Sequence, residues 1–353
     1  MSIASSARVL LLVFLPGLFA AHAQQPAPPA PPVRPVQPAP RSILLNVVVA
    51  PKSGPAVANL QQQDFTVLDN KTERPITSFK AVTAGQEPVE VILLLDAVNT
   101  GFRMVAYIRE GVEKFLQANG GKLSAPTAVA VLTDKGLQAQ PNFTTDGNAL
   151  SNFVQNDSVA LREVTRAAGY WGANERFGIS MNGFRQLAGA ASRLPGRKIV
   201  LWISPGWPLL SGVRTYLDSR QEDQIFHDIV FFSSQLRQDN VTVYNINPLG
   251  VGEPLLRADY YQAFLAGVAK PSQTQIGDLG LQVISVQSGG LALESNSDVT
   301  GMLNQCMEDT KSWYEITFDA APAERPDQYH HIEIRVDKPG LIARTRTGYY
   351  AQP

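Results

Sequence analysis

The chain has 353 residues, 44% of them hydrophobic and 17% charged, so it has enough apolar material for a large core, and its length suggests about two domains at roughly 150 residues each. Thirty basic residues against 31 acidic ones leave a formal net charge of −1, which excludes a broad basic field for nucleic acid or an anionic membrane. Cys306 is the single cysteine, so no internal disulfide can form and the core must hold the fold.

Residues 1–23 read as a secretory signal. Arg8 supplies positive charge, VLLLVFLPGLFAA is a short apolar core, and Ala21-His22-Ala23 is a small-x-small cleavage site. Cleavage after Ala23 makes the protein exported, to the periplasm or beyond, with no transmembrane span left after signal removal. Residues 24–41 (QQPAPPAPPVRPVQPAPR) are rich in Pro and Ala with almost nothing to bury, the composition of an extended spacer.

Residues 42–86 form the next unit. ILLNVVVA, DFTVLD and ITSFKAV are short β-rich runs separated by PKSGP and DNKTERP, whose Gly, Pro and Asn mark turns. Residues 313–353 have the same character. WYEITFDA places Tyr314, Ile316 and Phe318 on one face, and HHIEIRVD sets Ile332, Ile334 and Val336 against His331, Glu333 and Arg335. The two segments are expected to pair into one small antiparallel β-sandwich.

Between them, residues 87–312 alternate strands and helices, the pattern of a mainly parallel, Rossmann-like α/β sheet flanked by helices. VILLLD (91–96) is apolar without alternation, as a strand covered on both faces requires. The spacing predicts a helix over 102–119 with Phe102, Val105, Ile108, Val112, Phe115 and Leu116 inward. TAVAVLTD turning through Lys135-Gly136 reads as a strand with a hairpin partner. A helix follows over about 176–194, ending at Pro195-Gly196, with Phe177, Met181, Phe184, Leu187, Ala188 and Ala191 inward. KIVLWI, a helix over 219–238, VTVYNI, a loop over 248–273, a helix over 276–287, the short strand LAL and a helix over 298–311 complete the unit.

Ligand sites in open α/β sheets form at the carboxyl ends of the strands. That edge carries Asp96, Asn99, Thr100 and Phe102 after the first strand, and Ser204 and Trp207 after KIVLWI. These six are the candidate ligand-binding residues. Trp207 is either an anchor for a partner or a ring packed over the sheet edge.

The order strand–Asp loop, helix, hairpin, helix, strand–SPG, helix, strand resembles a von Willebrand factor A domain. The whole chain after the spacer looks like the bacterial, chiefly acidobacterial, VWFA-related secreted family. The resemblance rests on Gln63-Asp64-Phe65-Thr66-Val67, LLLDAVNT, Arg176-Phe177-Gly178-Ile179-Ser180, Leu194-Pro195-Gly196-Arg197-Lys198, Trp202-Ile203-Ser204-Pro205-Gly206 and Gly348-Tyr349-Tyr350-Ala351. It implies a non-catalytic, adhesion-type module that binds a protein or cell-surface ligand through this edge.

The resemblance also implies where a cation would sit. A competent A domain holds Mg2+ with a D-x-S-x-S loop, a Thr from a second loop and an Asp from a third. Here Asp96 and Thr100 match, Val98 replaces the first hydroxyl, Ser204 stands where Asp is usual, and no Thr occurs over 173–177. Asp96 and Thr100 are therefore the candidate metal ligands of a degenerate motif, and each missing oxygen would have to be a water. The competing reading has Asp96 and Asn99 capping the helix that starts near Gly101.

Other classes fit less well. A hydrolase would need Ser204 as nucleophile, but Pro205 removes the following N–H, and His227, His330 and His331 lie away from this edge. No nucleotide or dinucleotide loop follows a strand. Adjacent His330 and His331 point to opposite faces of a strand and read as surface residues. An envelope hydrolase using the same crevice and a structural scaffold of an envelope assembly remain the alternatives to the binding module.

Overall fold

The computed structural model describes residues 42–52, 54–156, 169–210, 217–249, 262–294 and 296–353. The expected signal, the Pro-rich spacer, residues 250–261 of the 248–273 loop and the Phe102 side chain lie outside the described residues.

In chain order the elements are β1 (Ser42–Pro51), β2 (Phe65–Asp69), β3 (Thr72–Arg74), β4 (Ile76–Thr83), β5 (Val89–Asp96), α1 (Phe102–Gly121), β6 (Lys122–Thr133), β7 (Gly136–Ala139), β8 (Thr144–Asp146), α2 (Gly147–Asn156), α3 (Gly169–Ala191), β9 (Arg197–Ile203), α4 (Ser219–Gln238), β10 (Val241–Ile246), α5 (Gln262–Leu265), α6 (Leu281–Gln287), β11 (Ala292–Leu293), α7 (Val299–Glu308), β12 (Ser312–Asp319), β13 (Gln328–Val336), β14 (Leu341–Arg344) and β15 (Gly348–Ala351).

They build three sheets. The seven-stranded one has the order β11-β10-β9-β5-β6-β7, with β8 also on β6. Its first five strands are parallel, and β7 and β8 pair antiparallel with β6. In β5, Val91, Leu93 and Leu95 enter one core with α1, α2 and α7, while Ile92 and Leu94 enter another with α3, α4 and α6. An unbroken apolar run is therefore what a strand with helices on both faces needs.

The predicted helical stripes are buried: Val105, Ile108, Val112, Phe115 and Leu116 on α1, and Phe177, Met181, Phe184, Leu187, Ala188 and Ala191 on α3. α3 starts at Gly169, seven residues before the expected start. Its first turns face outward, with Trp171 76% exposed, so no apolar period announced them. α1 departs from helical geometry at Ala118, and Asn119 and Gly120 take positive φ of 54° and 70° to turn the chain into β6.

The helix expected over 276–287 is divided. A 3-10 turn at Ile276–Asp278 is separated from α6 by extended Leu279 and Gly280. At the end of α3, Gly196 has φ of 64° and its missing Cβ leaves room for the Pro88 carbonyl.

The two antiparallel sheets have the orders β14-β1-β12-β4 and β15-β13-β2-β3, and their strands come from both ends of the described chain. Both sheets contribute to one apolar core. Leu45, Val47, Tyr314, Ile316 and Phe318 from the first meet Phe65, Val67, Ile332 and Tyr349 from the second. Phe65 lies 4.9 Å from Tyr314, ring centre to ring centre.

His330 corrects the expectation of a surface residue. It is 3% exposed, because it shares its face of β13 with Ile332. Its Nδ1 is 2.9 Å from Asp69 Oδ1, and the Tyr349 hydroxyl donates to Asp69 Oδ2 at 3.0 Å. His331, on the opposite face, is exposed.

The parallel sheet is fastened to the antiparallel strands by a second buried polar group. Asp309, just after α7, accepts from the Tyr244 hydroxyl of β10 and from Arg344 of β14. Arg197 of β9 donates to the Asp309 carbonyl at 2.8 Å and lies over the Trp313 ring at 5.0 Å. Burial pushes the Tyr244 phenol up, and the Asp309 charge adds to it. Cys306 is fully buried on α7, with burial raising its thiol pKa well above the ordinary value.

Candidate functional site

Four elements converge at the carboxyl end of the parallel sheet: the loop 97–100 after β5, the Ser204-Pro205-Gly206-Trp207 turn after β9, Asn245 of β10, and the middle of α3. Asp96 is their centre and is 2% exposed. Its Oδ1 accepts the N–H groups of Val98 at 3.0 Å and Asn99 at 2.9 Å. Its Oδ2 accepts Asn99 Nδ2 at 2.9 Å, Ser204 Oγ at 2.8 Å and Trp202 Nε1 at 3.3 Å.

Five donors meet a carboxylate that has about four lone-pair sites. Burial pushes the Asp96 carboxyl above its usual range, and the hydrogen bonds from Asn99, Ser204 and Trp202 pull it back only in part.

The neighbours continue the arrangement. Asn99 Nδ2 also donates to Ser180 Oγ at 2.9 Å, and Ser180 donates to the Arg176 carbonyl at 2.8 Å. Gly206 N–H donates to Ser204 Oγ at 3.1 Å, and Asn245 Nδ2 donates to the Ser204 carbonyl at 2.9 Å. The ends of β5, β9 and β10 are thus bonded to one another and, through Asn99, to α3.

Of the six candidate residues, Asp96, Asn99 and Ser204 are brought into direct contact. Thr100 is 1% exposed at the end of the same loop. Phe102 opens α1, and its side chain lies outside the described residues. Trp207 is 4% exposed and sits 5.7 Å from Trp202, 5.9 Å from Phe184 and 6.4 Å from Phe177 between ring centres. Of its two readings, the packed ring is the one observed.

The capping reading needs correction. Gly101 is the N-cap of α1 and no side chain caps that end; Met104 and Val105 donate to the Gly101 carbonyl instead. Asp96 bonds the loop that precedes the helix.

The residues at Asp96 do not fit a hard divalent cation. Such an ion needs oxygen lone pairs directed inward, about six of them for Mg2+. Here both carboxylate oxygens already face N–H and O–H hydrogens, Ser204 spends its own proton on Asp96, and Val98 is fully buried among apolar side chains. Among the described residues no group of three His, Cys, Asp or Glu is placed to hold a metal.

As a nucleophile, Ser204 is fully buried, and no described histidine is among its hydrogen-bond partners. His227 Nδ1 bonds the Asp223 carbonyl within α4, and His330 bonds Asp69.

Sequence reasoning missed Trp202 and Ser180 as partners at this site. An indole N–H on a fully buried strand must find an acceptor, so Trp202 carried a usable signal. It also missed the exposed apolar groups around the edge: Trp171, with Tyr170 5.7 Å away, and Leu249, 45% exposed three residues after β10. α3 runs nine residues from Trp171 to Ser180, which sets Trp171 about 13 Å beyond Ser180 along the helix axis.

No protein-family model matches the chain, and no curated protein sequence matches it. Solved structures similar to it include a mutant PilB minor pilin from Streptococcus sanguinis, at 11% identity and a TM-score of 0.37, covering 64% of this chain and 62% of that one. The open conformation of the pilus adhesin SpaC from Lactobacillus rhamnosus GG gives 10% identity and a TM-score of 0.38, over 84% of this chain and 49% of that one. Manganese-loaded TRAP protein from Plasmodium vivax gives 11% identity and a TM-score of 0.33, over 78% of this chain and 98% of that one. The chain therefore spans less than two thirds of the length of either pilus protein. At such values the function has to be argued from the chain's own geometry.

Proposed function

We propose that this chain is an exported, non-catalytic interaction module that binds a protein or surface ligand at the carboxyl edge of its parallel sheet without a metal ion. In this reading it is a von Willebrand factor A-like domain of the VWFA-related kind, with residues 87–312 inserted in a β-sandwich made from 42–86 and 313–353. The signal-like residues 1–23 support export to the periplasm or the cell exterior, and among the described residues no helix is long and apolar enough to cross a membrane.

The observation that carries the proposal is the closure of Asp96 by five protein donors. A carboxylate used in this way fixes the three strand ends and the loops above them. What such an edge offers a partner is the exposed apolar surface around it, Trp171 first, and large aromatics of this kind are common anchors in protein interfaces.

A photo-crosslinking residue at position 175, exposed on α3 one turn from Trp171, in cells of the source organism tests it while leaving Trp171 in place. The expected result is one discrete adduct that persists in EDTA and is lost when the same crosslinker is combined with Trp171→Ala. No adduct, or one that EDTA abolishes, contradicts the proposal.

A further inference from the structure

Arg346, in the connection between β14 and β15, is 5% exposed and among the described residues makes no hydrogen bond or ion pair. Burial opposes its charge and Arg237, in the last turn of α4, opposes it further, while Tyr329 favours it more weakly. Arg237 is no counter-ion, and its own Nε is buried without a partner. A guanidinium stays protonated under any ordinary condition, so a buried one calls for an anion.

Arg346 lines a cleft of about 450 Å3 together with Thr345, Leu291, Ala292, Ile332 and Ala343. The other charged groups on the cleft are already engaged, Arg344 with Asp309 and Glu333 with Arg335 at 2.7 Å. Thr345 Oγ1 is buried there without a partner.

One wall is a sheet edge with no further strand beside it among the described residues. β11 is the outermost strand of the parallel sheet, and the carbonyls of Leu291 and Leu293 accept from Asn245 and Asn247 on the β10 side. Alternation along the strand therefore turns the N–H and C=O of Ala292 away from β10.

We propose that this cleft binds an extended peptide bearing a carboxylate, with its backbone beside Ala292 and its carboxylate on Arg346. The planar fork of a guanidinium matches the two oxygens of a carboxylate. The strand edge and the apolar wall of Leu291, Ile332 and Ala343 suit an extended chain, which can add to a sheet edge through its own backbone. A small inorganic anion would use neither. This site does not involve Asp96, so its failure leaves the edge proposal untouched.

The test is an NMR titration of the 15N-labelled protein with acetyl-Val-Thr-Val as its free acid, with the same peptide as its C-terminal amide, and with sodium phosphate at equal ionic strength. The free acid is expected to shift the amide signals of residues 289–292 and 345–347 saturably, and the amide to bind at least tenfold more weakly. Arg346→Met is expected to lose the acid's advantage while melting no lower than wild type, because it removes an unpaired buried charge. Glu333→Gln, at the cleft rim, is expected to tighten the acid about threefold. Equal binding of acid and amide, phosphate binding without peptide binding, a lower melting temperature for Arg346→Met, or no tightening in Glu333→Gln would each overturn the proposal.

Discussion

Ser204 Oγ donates to Asp96 Oδ2 at 2.8 Å, joining the end of β9 to the end of β5 where a sheet of this kind ordinarily keeps its binding residues. The bond converts the Asp96 carboxylate into an internal acceptor. Removing it should strand every donor that converges there. Asp96→Ala is expected to lower the unfolding free energy by about 2–4 kcal/mol, since it leaves several buried N–H and O–H groups unpaired. Urea denaturation with an unchanged m-value checks this, and a loss below about 0.5 kcal/mol would show that the donors find other partners.

The same carboxyl makes a pH prediction. Burial holds its native pKa above the ordinary carboxylate value of 3.8, so the folded protein keeps this proton to higher pH than the unfolded chain does. The stability it contributes is then full below 3.8 and is lost as the pH rises through the native value. Relative to Asp96→Asn, which does not titrate, wild type should gain stability as the pH is lowered from neutral toward 3.8. A wild-type advantage that shrinks on acidification would mean that the five donors outweigh burial.

Trp207 should behave as core. Its ring is enclosed by Trp202, Phe184 and Phe177, so Trp207→Ala is expected to cost about 3–5 kcal/mol. Trp171→Ala, on an exposed turn, should leave the melting temperature within a degree or two while affecting the crosslinked adduct. The reverse pattern would exchange the roles of the two tryptophans.

Asp309 should matter more than its place in the turn after α7 would suggest. Asp309→Ala leaves Arg344 without its counter-ion and the Tyr244 hydroxyl without its acceptor, and is expected to cost about 3–5 kcal/mol. Thermal denaturation of Asp309→Ala beside Asp309→Asn checks it. Near-wild-type stability for both would show that this buried group does not fasten the sheets.

Most of the α/β part was legible because its signals are local. The double-sided burial of 91–96, the inward stripes of α1 and α3 and the limits of α4 all follow from which residues are apolar and how they are spaced. The early start of α3 was not legible, since its first turns bury only the small residues Gly172 and Ala173 and carry no large apolar period. His330 was misread although β13 contained the answer: the alternation that sends Ile332 inward sends His330 inward as well, and only the partner Asp69, 261 positions away, makes that tolerable.

At the candidate site the sequence located Asp96, Asn99 and Ser204 but not what they do to one another. Whether a carboxylate at a strand end meets a cation or five hydrogens depends on the directions of Trp202 Nε1 and Ser204 Oγ, and spacing along a chain does not contain those directions. The departures at Val98 and Ser204 indicated that ligands were missing. They did not reveal that the protein's own donors occupy the carboxylate.

The most direct test of the account is calorimetric titration of the purified protein with Mg2+ and with Mn2+ to millimolar concentration. The closed donor set predicts no saturable heat for either ion and no change on Asp96→Ala. Saturable binding of either ion that disappears in Asp96→Ala would contradict it and restore a metal to this edge.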